Sequence, residues 1–175
     1  MDQFDVAMRA QEAGKYAVVL QLLLPLAEAG DAKAQFHLGQ LYREGHGVKR
    51  DHEMALRWYR KAAGQGNAMA QGALGAMYYG GQGVAQDYAE ALKWLNLAAD
   101  EGVAEAQYDL SLMYGHGHGV TLNYMQAHMW CNIAGAQGHA KALKSRDALA
   151  AQMTLIQIAE AQRLARDWTA RHTGD

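Results

Sequence analysis

The sequence predicts an all-α fold: an α/α superhelical solenoid of antiparallel helix pairs with a C-terminal capping helix. Residues 68–103 match the stretches before and after them at a constant spacing of 36 residues, without insertion or deletion. Self-similarity at a fixed period of this size is typical of stacked repeats. The chain has one proline, which favours uninterrupted helices, and most of its 19 glycines recur in register where helices are expected to end.

The repeat is defined by small and aromatic residues that occupy equivalent positions in three registers. The aligned sets are Ala32, Ala68, Ala104 and Ala140; Leu38, Leu74 and Leu110; Tyr42, Tyr78 and Tyr114; Gly45, Gly81 and Gly117; and Trp58, Trp94 and Trp130. We therefore predict a single repeat domain over residues 1–175. Its parts are an N-terminal capping helix pair (1–31), three repeats (32–67, 68–103 and 104–139), and a half repeat with a C-terminal capping helix (140–175).

The N-terminal segment predicts two helices that form an incomplete first repeat. The first spans residues 2–13 and ends at Gly14, and the second spans residues 16–29. Pro25 lies inside the second helix, where it is expected to cause a kink or leave one carbonyl free. An atypical terminal unit is what a capping repeat requires.

The first helix of each full repeat is expected to end just before Gly45, Gly81 or Gly117. In the middle repeat, one face of this helix carries the recurring residues Gln71, Leu74, Gly75 and Tyr78, and we expect that face to be packed. Because Gly39 and Gly75 share one position, this face is also expected to let a neighbouring helix approach closely.

The second helix of each repeat is expected to begin at a good N-cap residue: Asp51, Asp87 or Asn123. Asp87 and Glu90 have the spacing of a capping box, as do Thr154 and Gln157 before the last helix. Each second helix carries one tryptophan between alanines, which predicts that Trp94 is buried. The last helix, residues 155–171, is predicted to cover the end of the array with Leu155, Ile158, Ala161, Ala165 and Trp168.

The pattern A-x-A-Q-x-x-L-G-x-x-Y-x-x-G-x-G-V-x-x-D-x-x-x-A-x-x-W resembles the Sel-one-like repeat (SLR), a relative of the tetratricopeptide repeat. The resemblance covers residues 32–139, and the third repeat departs from it at Ser111, Asn123, Cys131 and Gly135. It implies a solenoid whose first helices line a concave surface. It also implies an adaptor or scaffold that binds other proteins and carries no chemistry of its own. In bacteria, such proteins are often linked to signalling, envelope functions or host contact.

Composition restricts the partners and the compartment. A net charge of −2 gives no electrostatic reason to expect nucleic acid. No apolar run has the length of a membrane span. The lone Cys131 cannot form an internal disulfide. The sequence opens without a signal segment, and the compartment stays open: cytoplasmic for the sequence as written, periplasmic or secreted if a signal peptide has been removed. The oligomeric state stays open, with a monomer favoured.

No motif predicts catalysis, a metal or a cofactor. His116 and His118 lie in a glycine-rich loop, but two ligands do not complete a metal site. His128 and Cys131 occupy positions that are apolar or aromatic in other repeats, so we expect both to be buried. The sequence contains no hydrolase signature. We therefore predict a protein that is not an enzyme.

Two classes of function remain, a binding module and an enzyme whose site is dispersed over several repeats, such as a cell-wall hydrolase or transferase. A pocket with clustered His, Asp and Ser of perturbed pKa would favour the enzyme. A groove lined by aromatic and small residues would favour binding of a peptide or protein segment.

The predicted partner-binding residues lie on the first helices, away from the recurring packed face. Met69 and Ala73, on the first helix of the middle repeat, are also expected to point away from that packed face. Because these positions vary between repeats, the repeat fold does not dictate them, and they include aromatic residues and an arginine, which are common anchors of binding surfaces. An alternative is that they fill space between adjacent first helices. The predicted residues are Phe36, His37, Gln40, Arg43, Ala76, Tyr79, Tyr108 and Leu112.

Overall fold

The computed structural model describes residues 2–173, of which Thr173 is described by its backbone alone. Within this range the chain forms ten α-helices and no β-strand. The prediction of an all-α helical repeat solenoid is confirmed. The helices are α1 (Gln3–Glu12), α2 (Tyr16–Glu28), α3 (Ala32–Glu44), α4 (His52–Gly64), α5 (Ala68–Gly80), α6 (Tyr88–Asp100), α7 (Ala104–His116), α8 (Tyr124–Ala136), α9 (Ala140–Ala150) and α10 (Leu155–Thr173).

Side chains cap the helices largely as the sequence predicts. Asp87 accepts hydrogen bonds from the backbone N–H groups of Ala89 and Glu90, at 2.9 and 3.0 Å. The return bond of a capping box is not made there, because the Glu90 carboxylate instead accepts from Trp94 Nε1 at 2.9 Å. At α10 both bonds form: the Thr154 N–H donates to Gln157 Oε1 at 2.9 Å, and the Gln157 N–H donates to Thr154 Oγ1 at 3.3 Å.

Contacts divide the chain into two compact units, Met1–Gln86 and Asp87–Asp175. In the first unit, α3 packs against both α2 and α4. The close approach predicted at Gly39 is present, since a Cβ atom added there would lie 2.5 Å from Tyr59 Cε1 on α4. Trp58 is buried with its flanking alanines, as predicted, and its cluster includes Val19, Leu23, Leu38 and Leu41.

In the second unit, α7 packs against α6 and α8, and α8 also packs against α9 and α10. Within the described residues, α10 lies on α8 and makes no extensive contact with α9. The Trp168 ring meets Trp130 edge-on at 5.6 Å, in keeping with the predicted covering role. The prediction for Leu155 is wrong: its side chain is 85% exposed, because α10 reaches the rest of the unit only from Ile158 onwards.

Burial at the recurring tyrosine and tryptophan positions is less uniform than the repeat pattern predicts. Gln71, Leu74 and Gly75 are buried on α5, but Tyr78 is only half-buried, and its hydroxyl accepts a hydrogen bond from Arg60 Nη2 at 2.7 Å. Trp94 is also half-buried, so the prediction of a buried ring is wrong at this position. Its indole N–H is directed to the Glu90 carboxylate at the edge of α6.

The loop after each first helix touches the start of the second helix of the preceding repeat. A Cβ atom added at Gly83 would lie 2.6 Å from both the carbonyl carbon and the carbonyl oxygen of His52. Two backbones therefore meet here with no room for a side chain. The contacting pairs are Gly47 with Tyr16, Gly83 with His52, and Gly119 with Tyr88.

Ring stacking accompanies two of these three contacts. His46 stacks on Tyr16 with the ring centroids 4.5 Å apart, and His118 stacks on Tyr88 at 5.0 Å. The middle repeat has Gln82 at the histidine position. None of the helices between residues 2 and 173 combines the length and the apolar character that a membrane crossing requires.

Candidate functional site

The predicted partner-binding residues lie on three first helices that belong to different compact units. Six of them lie on α3 and α5 in the first unit, and Tyr108 and Leu112 lie on α7 in the second unit. Each unit therefore presents its own set of candidate residues. The recurring glutamine and leucine positions of the first helices are buried in all three repeats, whereas the recurring tyrosines and seven of the eight candidates are half-buried.

Phe36 is the candidate that the structure places in the interior. Its side chain is only 9% exposed. The ring meets His37 edge-on at 5.3 Å and packs beside Tyr59 at 5.9 Å. Phe36 therefore fills space between helices and leaves little surface for a partner.

His37, Gln40 and Arg43 remain partly accessible on the same helix. The His37 ring also meets Phe4 edge-on at 5.4 Å. Burial lowers the pKa of His37, and a hydrogen bond with the Gln40 side chain offsets part of this effect. The imidazole is therefore neutral at pH 7. Arg43 Nη2 lies 3.2 Å from Glu44 Oε1.

On α5, Ala76 and Tyr79 are half-buried, and Met69 is 53% exposed, consistent with its predicted outward direction. The Gln86 side chain donates a hydrogen bond to the Tyr79 carbonyl at 2.7 Å, which ties the following loop to the end of the helix. The outward side of α5 therefore combines a flexible thioether, a methyl group and a phenol ring.

In the second unit, Tyr108 stacks on His139 with the ring centroids 4.7 Å apart. His139 occupies the N-cap position of α9, where its Nδ1 accepts a hydrogen bond from the Ala142 N–H at 3.1 Å. Since Nδ1 accepts, Nε2 carries the proton and donates to Glu105 Oε2 at 2.8 Å. This network holds Tyr108 against the start of α9.

Asp109, next to Tyr108, carries a strongly perturbed carboxyl group. Burial and the nearby Glu105 carboxylate raise the pKa of Asp109 from 3.8 to about 7, and His139 and Lys141 only partly oppose this shift. Sequence reasoning missed this property because no local motif marks Asp109. Glu105 lies one helical turn before it, but His139 and Lys141 are 30 and 32 residues away in the sequence.

Replacing Asp109 with asparagine is expected to remove a pH dependence of stability. The pKa of Asp109 is higher in the folded chain than in the unfolded chain. Its contribution to the stability of the fold is therefore complete below pH 3.8 and is lost as the pH rises through about 7. Wild-type stability should therefore fall relative to Asp109→Asn between pH 5 and pH 7 and then level off. Urea unfolding at pH 5, 6, 7 and 8 measures the difference, with Glu101→Gln at an exposed turn as the charge control.

A cavity of about 320 Å³ lies among α7, α8 and α9 in the second unit. Of the predicted partner-binding residues, Leu112 is the one that lines it. The other lining residues are Ser111, Gly115, His116, Tyr124, Ser145, Ala148, Leu149 and Gln152.

Two of the polar side chains that line this cavity bond to helix backbone. The Ser111 hydroxyl donates to the Tyr108 carbonyl at 2.6 Å, and His116 Nδ1 lies 2.8 Å from the Leu112 carbonyl oxygen. His116 also stacks on His118 at 5.3 Å. Among residues 2–173, no group of three or more His, Cys, Asp or Glu side chains could hold a metal ion. The lining is mainly apolar, with further polar atoms on Tyr124, Ser145 and Gln152.

The two reactive residue types in α8 are buried, as predicted. Burial raises the pKa of the Cys131 thiol, so the thiolate is disfavoured. Burial also lowers the pKa of His128, which disfavours the charged imidazolium. Asn132 Nδ2 lies 3.0 Å from His128 Nδ1, where the amide donates a hydrogen bond to the unprotonated nitrogen. Both side chains serve the packing of α8.

Comparison with known proteins places this geometry in a family. The Sel1 repeat matches residues 32–67, 68–103 and 104–139. A solved structure of c5321, a protective antigen present in uropathogenic Escherichia coli strains displaying an SLR fold, is similar with a TM-score of 0.89 and 29% identity. That similarity covers 97% of this chain and 38% of the E. coli chain.

Two further relatives extend the comparison. A Sel1 repeat protein from Oxalobacter formigenes is similar with a TM-score of 0.74 and 32% identity, over 82% of this chain and 59% of the other. The chitin synthase regulator SKT5 of Saccharomyces cerevisiae is 52% identical over 44 residues, which are 25% of this chain and 6% of the yeast protein. This chain thus spans less than two thirds of each of these relatives.

The family model covers more than half of the chain, and its boundaries coincide with the helix pairs described above. Sel1 repeat proteins are generally protein-interaction modules and non-catalytic scaffolds. The chain belongs to the Sel1 repeat family.

Proposed function

We propose that this chain is a non-enzymatic adaptor that binds a peptide or protein segment through its first helices. The observation that carries the proposal is the different burial of two sets of residues on those helices. Recurring residues such as Leu74 and Leu110 are fully buried, whereas the candidate residues other than Phe36 remain partly accessible. The accessible set can therefore take part in recognition while the buried set maintains the stacking of the helices.

In the first unit, the binding surface would consist of accessible side chains of α3 and α5. Its α3 part offers a neutral imidazole, an amide and the guanidinium of Arg43. Its α5 part offers Met69, Ala76 and Tyr79. Arginine and tyrosine anchors beside a flexible methionine suit a segment that carries both apolar and polar groups.

In the second unit, the binding surface would consist of Tyr108, Leu112 and the adjoining cavity. Tyr108 is fixed by its stacking on His139, which limits the entropy lost on binding. The enzymatic alternative gains no support from this cavity, because Ser111 and His116 both bond to helix carbonyls and Asp109 does not line it.

Charge substitutions on the first helices are expected to abolish partner capture without unfolding the chain. Tyr79→Asp and Tyr108→Asp each place a carboxylate where the proposal requires an aromatic contact, which weakens hot-spot binding by roughly tenfold or more. The measurements are the melting curve and the capture of partner proteins by the tagged chain from the source organism, identified by mass spectrometry.

The matched control is Ala89→Asp, which adds the same charge at an exposed position of the second helix α6. Lost capture with an unchanged melting curve in the tyrosine variants supports the proposal. Capture that survives in both variants contradicts it. A large drop in melting temperature in both would instead show that these rings are part of the core.

A further inference from the structure

We propose that the cavity among α7, α8 and α9, here called the α7–α9 pocket, receives one leucine-sized apolar side chain of the bound segment, next to a carboxylate of that segment. The inference rests on the proposed binding function and names the chemistry of its partner. It is argued from the glycine that opens the pocket, from the groups on its wall, and from the cation beside it.

The pocket lies where the third repeat has a glycine and the other two repeats have long side chains. Gly115 is equivalent to Arg43 in the first repeat and Tyr79 in the second. A Cβ atom at Gly115 would make ordinary contacts, 3.6 Å from Ala127 Cβ and 3.9 Å from Leu149 Cδ2. The backbone therefore tolerates a side chain at this position, and Gly115 lines the cavity of about 320 Å³.

The wall of the pocket favours an apolar occupant. Leu112, Ala148 and Leu149 contribute hydrocarbon. The Ser111 hydroxyl is already bonded to a backbone carbonyl, so it does not require a polar partner. Because most of the lining is apolar, a charged occupant would lose hydration that Tyr124, Ser145 and Gln152 replace only in part, whereas an apolar side chain gains from leaving water.

A lysine beside the pocket supplies the charge preference. Lys144 lies one helical turn before Ala148 on α9, hence on the same face of that helix. Within residues 2–173 it forms no ion pair, whereas Arg146 is paired with Asp147 at 2.8 Å and Lys141 interacts with Asp109. The exposed Lys144 ammonium is therefore available to attract a carboxylate next to the inserted side chain.

The test uses small probes on the full chain, followed by backbone amide chemical shifts. N-acetyl-leucine presents the proposed side chain and carboxylate together, N-acetyl-leucinamide lacks the charge, and N-acetyl-alanine lacks the side chain. We expect saturable shifts at Gly115, Ala148 and Leu149 with N-acetyl-leucine. Binding of N-acetyl-leucinamide should be about twofold to fivefold weaker, as for an exposed ion pair. Binding of N-acetyl-alanine should be about tenfold weaker or more.

Three variants test the assignment of the pocket. Gly115→Leu fills it and should weaken N-acetyl-leucine binding by about tenfold or more, the contribution of one buried leucine. Gly64→Leu is the matched control, because an added Cβ atom at that helical glycine meets nothing within 4 Å. Lys144→Gln should make the acid and the amide bind equally.

The absence of saturable shifts with N-acetyl-leucine would overturn the inference, as would equal binding by the wild type and Gly115→Leu. If Lys144→Gln left the preference for the acid unchanged, the assigned carboxylate contact would be wrong. Partner capture is measured separately, so capture of a partner without binding of the probes would contradict only the proposed pocket. Capture that survives in both Tyr79→Asp and Tyr108→Asp would contradict the proposed function itself.

Discussion

Replacing Trp58 with alanine is expected to lower the free energy of unfolding by about 3–5 kcal/mol, the usual cost of truncating a buried tryptophan. The side chain is 7% exposed and belongs to the buried cluster that includes Leu23, Leu38 and Leu41. Its neighbours along α4 at the repeat positions are alanines, which are too small to close the void. Urea unfolding of the wild type and the variant measures the difference.

Two further variants separate packing from polarity. Trp58 Nε1 is buried and has no hydrogen-bond partner within the described residues, so Trp58→Phe removes an unsatisfied donor and should cost far less than Trp58→Ala. Trp94→Ala should also cost less, because the Trp94 ring is half-buried at the equivalent position. Equal losses for Trp58→Ala and Trp94→Ala would show that burial does not decide the cost.

Replacing Gly83 with alanine is expected to destabilise the chain by on the order of 2–4 kcal/mol. The backbone of Gly83 has φ = 68°, a left-handed conformation that costs an L-residue about 1–2 kcal/mol. The new methyl group would also lie 2.6 Å from the His52 carbonyl group, and relieving such overpacking costs about 1–3 kcal/mol. The midpoint of urea unfolding gives the measured loss.

Gly66 provides a control for the two contributions. Its φ of 84° is also left-handed, but an added Cβ atom would meet nothing within 4 Å. Gly66→Ala should therefore show the conformational cost alone, and Gln82→Ala, at the exposed neighbour of Gly83, should show almost none. Losses of the same size at Gly83 and Gly66 would contradict the role assigned to the backbone contact with His52.

The sequence predicts the helices well because most boundaries have a local cause. An N-cap such as Asp51 or Asp87 and a glycine beyond most helix ends act within a few residues of the boundary they determine. Because the spacing is strictly 36 residues, the same local signal recurs in all three repeats and supports the same boundary each time. Helix positions and pairing could therefore be derived before any coordinates.

Burial at equivalent positions could not be derived in the same way, because it depends on what each repeat packs against. Trp58 and Trp94 occupy the same position and differ in exposure. Asp109 acquires its high pKa from burial and from the nearby Glu105 carboxylate, whereas His139, 30 residues away in the sequence, partly opposes the shift. The gap left by Gly115, in contrast, could have been found by aligning it with Arg43 and Tyr79.

The contact between each loop and the preceding second helix restricts how such a protein can evolve by duplicating its repeats. Where the helix begins with tyrosine, as at Tyr16 and Tyr88, the touching loop carries a stacked histidine. Where it begins with His52, the loop carries Gln82. The matched residues belong to different repeats, so a copied repeat brings its loop into contact with a helix start that it was not paired with. We expect these two positions to vary together across related sequences, and repeats transplanted as whole units to need compensating substitutions in their neighbours.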